Sequence, residues 1–127
     1  MQKIVFIEDE VSLQKALSHV LKEEGYAVVS AYDGEAGLAL VHNEKPDLVL
    51  LDLILPKLHG FTVLERLKAD PITTGIPVII LSNLEDNQDI ERALTAGAAA
   101  YLVKTSYQIS EVVQKIKEAI GTTKTKR

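Results

Sequence analysis

Cysteine is absent from the 127 residues, which excludes disulfides and thiolate metal sites. An excess of positive charge is missing too. The net charge is −4, which argues against a general nucleic-acid binder. No apolar run approaches the ~20 residues that cross a bilayer. Met1-Gln2-Lys3 leads straight into a strand-like run, so no signal peptide is visible. A soluble cytoplasmic protein is the default expectation. The length suits one domain with a full core.

Leu48 to Leu51 are continuously apolar, as expected of a strand buried on both faces. Asp52 ends that run, and Pro56 and Gly60 break the stretch after it. A carboxylate at the carboxyl end of a buried strand lies where open α/β sheets bind ligands. Its burial is costly unless a cation or donor compensates. A surface Asp opening a turn is the plainer alternative, so the other strand ends must decide.

From the start, Ile4 to Ile7 form a first buried run, stopped by Glu8, Asp9 and Glu10. Leu13, Ala16, Leu17, Val20 and Leu21 repeat at helical spacing, and Gly25 supplies a stop. Tyr26 to Ala31 read as a second strand. Asp33 is a plausible cap for a second helix with Ala36, Leu40 and Val41 facing inward. After the central strand, Val63, Leu64 and Leu67 mark a third helix ended by Asp70-Pro71. Val78 to Leu81 form a fourth strand with Ser82-Asn83 at its carboxyl end. Ile90, Ala93, Leu94, Gly97 and Ala98 give a light fourth helical stripe. Tyr101 to Val103 are a short fifth strand ending at Lys104. Ile109, Val112, Val113, Ile116 and Ile120 face inward from a last helix. Gly121 is expected to stop it, leaving a frayed, polar, basic tail over 122–127. Strands alternating with helices imply a parallel sheet covered on both faces, with right-handed crossovers.

In such a sheet all strand carboxyl ends share one edge. Glu8 and Asp9, Asp52, Ser82 and Lys104 would converge there if their strands are neighbours. Carboxylates crowded together repel. Mg²⁺, a hard cation with oxygen ligands, relieves that conflict. A hydroxyl and an ammonium beside an Asp suit new negative charge on an aspartyl phosphate. Singly, Ser82 reads as a strand-end cap and Lys104 as a surface cation. Together on one edge they point to phosphoryl transfer onto Asp52.

From Lys3 to about Gly121 the chain resembles a response-regulator receiver domain. The resemblance rests on Glu8-Asp9, on Pro46-Asp47 leading through Leu48 to Leu51 into Asp52, on Leu55-Pro56 with Gly60, on Ile76-Pro77 leading to Ser82, and on Ala96-Gly97-Ala98 through Tyr101 to Lys104. It implies a flavodoxin-like (βα)5 doubly wound sheet with strand order 2-1-3-4-5. It implies a receiver domain over 1–121, with Asp52 taking a phosphoryl group from a sensor histidine kinase or phosphotransfer protein. Asp9 and Asp52 would ligate Mg²⁺ directly, Glu8 through water, and Ile54 by its backbone carbonyl. Ser82 and Lys104 would hold phosphoryl oxygens, and Tyr101 would be the aromatic switch, turning inward as Ser82 moves. The signal would leave through the fourth helix, fifth strand and fifth helix to a downstream output protein. The chain would be a monomer or a weak dimer favoured by phosphorylation, and a phosphoacceptor rather than an enzyme acting on other molecules. Only a short tail follows Gly121, so the receiver either stands alone or was cut from a longer protein.

The sequence departs from the family pattern at four places. His59 replaces the usual Asp before the loop glycine and is expected to face solvent. Asn83 follows the hydroxyl, where a small residue is usual. Thr105 follows the lysine, where proline is usual, so a trans Lys104-Thr105 bond is expected. Glu8-Asp9 is mixed where two aspartates are commoner. Three rival readings remain. An FMN carrier would want a Ser/Thr/Gly-rich phosphate loop, and three acids stand in its place. A haloacid-dehalogenase-type phosphatase would want its nucleophilic Asp on the first strand. A receiver that docks without being phosphorylated would not need both Asp52 and Lys104.

Overall fold

The computed structural model describes residues 1–125, with side chains through Gly121. Five parallel strands alternate with five helices: β1 (Lys3–Ile7), α1 (Val11–Glu23), β2 (Ala27–Ala31), α2 (Gly34–Glu44), β3 (Leu48–Leu51), α3 (Gly60–Ala69), β4 (Val78–Ser82), α4 (Asn87–Thr95), β5 (Ala100–Val103) and α5 (Ile109–Thr125). The strand order is β2-β1-β3-β4-β5, the flavodoxin-like order. No described helix is long and apolar enough to cross a membrane.

Alternation along the strands builds two cores. Ile4, Phe6, Leu48, Leu50, Ile79 and Leu81 face α1 and α5, where Leu17, Leu21, Val112, Val113, Ile116 and Ile120 meet them. Val5, Ile7, Val49, Leu51, Val78 and Ile80 face α2, α3 and α4, against Val41, Val63, Leu64, Leu67 and Ala93. All four β3 residues are fully buried. At roughly 1.5–3 kcal/mol for each large side chain buried, β3 and the equally buried Ile4 to Ile7 of β1 form the firmly held centre of the sheet.

Local chemistry sets the helix ends. Asp33 accepts the Ala36 N–H at 2.7 Å and caps α2. Gly25 follows α1 at φ +98°, a conformation that other residues adopt at a cost. Gly60 opens α3 where a β-carbon would lie 2.3 Å from Leu53 Cα. Only glycine lets α3 begin so close to the chain leaving β3.

Several expectations about side chains need correction. On α1, Ala16 is exposed, while Gln14 and Ser18 are buried. On α2, Ala36 is exposed and Gly37 takes the inner position against Ile7. Leu94 of α4 is 45% exposed, so the inner face of that helix is Ala93 with Ile90 half-buried. Gly121 does not end α5, which continues to Thr125. Glycine in a helix costs about 1 kcal/mol relative to alanine, which weakens a helix without breaking it. The expected tail therefore begins inside a helix, and its last two residues, Lys126 and Arg127, lie outside the described residues.

Candidate functional site

The parallel sheet brings the ends of β1, β3, β4 and β5 to one edge. Asp52 follows β3 directly, and its N–H donates to Ile7 O at 3.0 Å, extending the sheet by one step. The Asp52 side chain is only 5% exposed. Its Oδ1 accepts the Ile54 N–H at 3.2 Å, a short turn that holds the Ile54 peptide beside it. The Ile54 side chain itself points outward and is half exposed.

Glu8 follows β1, and its N–H donates to Ala31 O at 3.0 Å. Glu8 is fully buried, and its Oε2 accepts the Glu10 N–H at 3.0 Å. Its Oε1 faces Lys104 Nζ at 2.7 Å as an ion pair, with no aligned hydrogen-bond donor among the described residues. Asp9 is exposed beside it. One carboxylate oxygen each from Glu8, Asp9 and Asp52 lie within 4.8 Å of one another.

Lys104 follows β5 directly and reaches into this acidic cleft. Its Nζ donates to Asp52 Oδ2 at 3.1 Å and lies 3.6 Å from Glu10 Oε1. The Lys104–Thr105 bond is trans, as expected, since no cis peptide occurs among the described residues. A single 3-10 turn, Lys104–Ser106, carries the chain away instead.

The electrostatics follow from this crowding. Burial, seconded by the Asp52 charge, pushes the Glu8 carboxyl up to about 7, although Lys104 and the Glu10 N–H pull it down. Burial works against the Lys104 ammonium, but Glu8 and Asp52 outweigh it and raise its pKa. Lys104 therefore stays charged and is the cleft's own counter-ion.

Ser82, fully buried at the end of β4, accepts the Leu84 N–H at 3.4 Å. Tyr101 on β5 donates its hydroxyl to Leu84 O at 2.7 Å. Its ring lies inward, half-buried against the α3–α4 core. Burial, with Asp89 and Asp52, pushes the phenol up to about 12, so it remains a donor. The main chain of one residue, Leu84, is thus held at its N–H and at its C=O by the two residues expected to act together.

Two arrangements were not legible in the sequence. His59 is exposed as expected, yet its Nδ1 accepts the Phe61 N–H at 3.3 Å and caps α3. Its ring stacks on Phe61 at 5.7 Å, and the Arg92 guanidinium sits 4.0 Å from the Phe61 ring centre. Gln14, which stands outside the apolar stripe of α1, is buried beneath the β1–α1 turn with only 1% of it exposed.

The donor set fits a hard divalent cation. It is all oxygen, it carries three carboxylates, and one buried carboxylate oxygen lacks an aligned donor. Glu8, Asp9 and Asp52 are the residues that would hold such an ion, which would neutralise charge in the cleft.

A family model described as the response regulator receiver domain matches residues 4–117. The chain is 37% identical over 123 residues to the DNA-binding dual master transcriptional regulator RpaA of Synechocystis sp. (strain ATCC 27184 / PCC 6803 / Kazusa), covering 97% of this chain and 51% of that protein. It is 35% identical over 116 residues to the DNA-binding response regulator MtrA of Mycobacterium tuberculosis, covering 91% and 49%. This chain thus spans about half the length of these curated relatives. Among solved structures, a CheY-like receiver domain protein from Methanospirillum hungatei JF-1 superposes with TM-score 0.92 at 27% identity, over 100% of this chain and 99% of that one. The receiver domain of sensor histidine kinase PA1611 from Pseudomonas aeruginosa PAO1, with magnesium in its active site cleft, gives 0.85 at 28% identity over 94% and 98%. With its sheet order, its acidic cleft and a family match over nearly its whole length, the chain belongs to the response regulator receiver domain family.

Proposed function

We propose that Asp52 is the phosphoacceptor of a two-component system, within a receiver unit spanning 1–121. One juxtaposition supports this most directly: Lys104 Nζ lies 3.1 Å from Asp52 Oδ2, inside a cleft whose other walls are Glu8 and Asp9. A carboxylate oxygen of Asp52 attacks phosphorus, the new O–P bond forms, and the donor's bond to phosphorus breaks. With a histidine kinase or phosphotransfer protein as donor, the imidazole nitrogen leaves and takes up a proton. Lys104 and Ser82 then receive the phosphoryl oxygens. Asp9, Asp52 and the Ile54 carbonyl would hold Mg²⁺ directly and Glu8 through water, and the ion would supply charge neutralisation. The chain takes part in its own phosphorylation and dephosphorylation and passes the signal to an output partner. Incubation with acetyl phosphate and Mg²⁺, followed by intact mass measurement, should show the gain of one phosphoryl group, lost with a chelator. No gain at all would favour a docking module that works without phosphorylation.

The output surface is α4, β5 and α5. A phosphoryl oxygen would take the Ser82 hydroxyl's proton and draw toward it the oxygen that accepts the Leu84 N–H, and Tyr101 donates to the carbonyl of the same residue. Hydrogen exchange with and without beryllofluoride should therefore change more over residues 90–104 than over 13–21. Equal changes in α1 would count against this surface.

The phosphoryl group should be long-lived. In the receiver family, the side chains two residues after the acceptor and two after the hydroxyl flank the path of the hydrolytic water. Here they are Ile54 and Leu84, and neither can hold water in line. Asn83, exposed next to Leu84, is the weaker candidate for that task. A polar residue at either place is worth about 1–2 kcal/mol of barrier, roughly tenfold in rate. Loss of phosphate should be faster in Ile54→Asn and Leu84→Glu than in wild type, and unchanged decay in both would end the idea.

A further inference from the structure

Gln14 is the most deeply buried polar side chain that the phosphoryl chemistry leaves unused. It sits on the first turns of α1, only 1% exposed. Its Nε2 donates to three main-chain carbonyls: Phe6 O at 2.9 Å, Ala31 O at 3.0 Å and Glu8 O at 3.2 Å. Three acceptors around one end of the amide fix which end is nitrogen. Two N–H groups serve three oxygens, so one bond is shared. The Oε1 end faces Ser18 Oγ at 3.5 Å.

These carbonyls belong to the end of β1, the end of β2 and the first residue of the acidic turn. Ala31 O also accepts the Glu8 N–H at 3.0 Å. The Glu8 main chain is therefore tied on both sides, its N–H to Ala31 and its C=O to Gln14. With Oε2 fixed by the Glu10 N–H, the carboxylate has little freedom left.

We infer that Gln14 is a positioning residue for the divalent-cation site: its carboxamide locks the β1–α1 turn from which Glu8 and Asp9 project. This role rests on the acidic cleft being a metal site. Gln14 touches neither the acidic side-chain oxygens nor the cation. It acts through the peptide that aims them. Groups that orient metal ligands from behind contribute about 10- to 100-fold to affinity when removed. Here the lever matters because Asp9 stands beside the buried Glu8 and Asp52 carboxylates, which push it and one another apart. Without the lock, Glu8 and Asp9 can separate, which relieves their repulsion and spoils their convergence.

The test is Mg²⁺ titration of the intact chain, followed by the amide NMR shifts of Glu8, Asp9 and Glu10. Gln14→Met keeps the length of the side chain and removes the donors. It should weaken Mg²⁺ binding about tenfold or more and shift those amides before metal is added. Leu21→Ala opens the core lower on the same helix and should leave Mg²⁺ affinity unchanged while lowering the melting temperature. Gln14→Asn, too short to reach all three carbonyls, carries the same expectation if the Met variant fails to fold. Wild-type affinity in the Gln14 variants, or an equal loss in Leu21→Ala, would overturn the inference. A wild-type chain that binds no Mg²⁺ would instead overturn the metal reading, and this role with it.

Discussion

Asp52→Asn should gain no phosphoryl mass under conditions that fully modify the wild type. The amide has nearly the same shape and can still accept the Ile54 N–H through its oxygen. It lacks the anionic oxygen needed to form an acyl phosphate, so the chemical step is removed rather than slowed. The fold should survive, because the change withdraws one of the charges that raise the Glu8 carboxyl. Glu8, the other deeply buried carboxylate, points into an ion pair with Lys104, and Asp9 is exposed. Neither is placed as Asp52 is, directly at the end of the central strand. Intact mass with acetyl phosphate or phosphoramidate decides the matter. An equal mass gain in the Asn variant would falsify Asp52 as the acceptor.

Lys104→Met should destabilise the metal-free protein by about 3–5 kcal/mol at pH 8, the usual cost of leaving a buried charge without its partner. Lys104 is 13% exposed at its side chain, against 0% for Glu8 and 5% for Asp52, so water screens the pair poorly. The loss depends on pH in a definite direction. Folding lifts the Glu8 pKa from 4.5 to about 7. Between those values the folded chain keeps a proton that the unfolded chain has released. Stability from the neutral carboxyl is therefore present at acid pH and is lost as pH rises toward and past 7. Removing Lys104 withdraws an interaction that lowers the Glu8 pKa, so the decline should keep the same one-proton slope in the variant but extend to higher pH. Melting curves from pH 5 to pH 8 should show the variant less stable throughout, with the gap widening only above pH 7, by about 1.4 kcal/mol per pH unit at most. Mg²⁺ should recover much of the gap by supplying another cation. Parallel curves across that range, with no Mg²⁺ effect on the variant, would show that Lys104 is not the cleft's counter-ion.

The β–α alternation was legible because strand and helix leave different periods in the apolar residues. Leu48 to Leu51 could be read as a central strand because a strand covered on both faces has no polar side to show. Asp52 was legible as its terminus, and Gly25, Asp33 and Asp70-Pro71 marked helix ends through their own backbone chemistry. Leu94 and Gly121 misled, since apolar spacing does not say how far a helix face turns from its neighbours, nor does a glycine oblige a helix to stop.

Local sequence alone determined the elements, their order and the acidic, hydroxyl and ammonium residues at the strand ends. Neighbouring residues specify backbone conformation through sterics, capping and period. Only the tertiary structure decided what those residues do to one another. The Lys104 contact with Glu8 spans most of the chain, and its strength comes from a low-dielectric cleft that exists only once β1, β3 and β5 share an edge. Gln14 is the plainest case. As a residue type it belongs on a helix surface, and nothing nearby in the sequence says otherwise. It is buried because the carbonyls of Phe6, Glu8 and Ala31 converge there as acceptors for its two N–H groups, Ala31 O holding the Glu8 N–H as well.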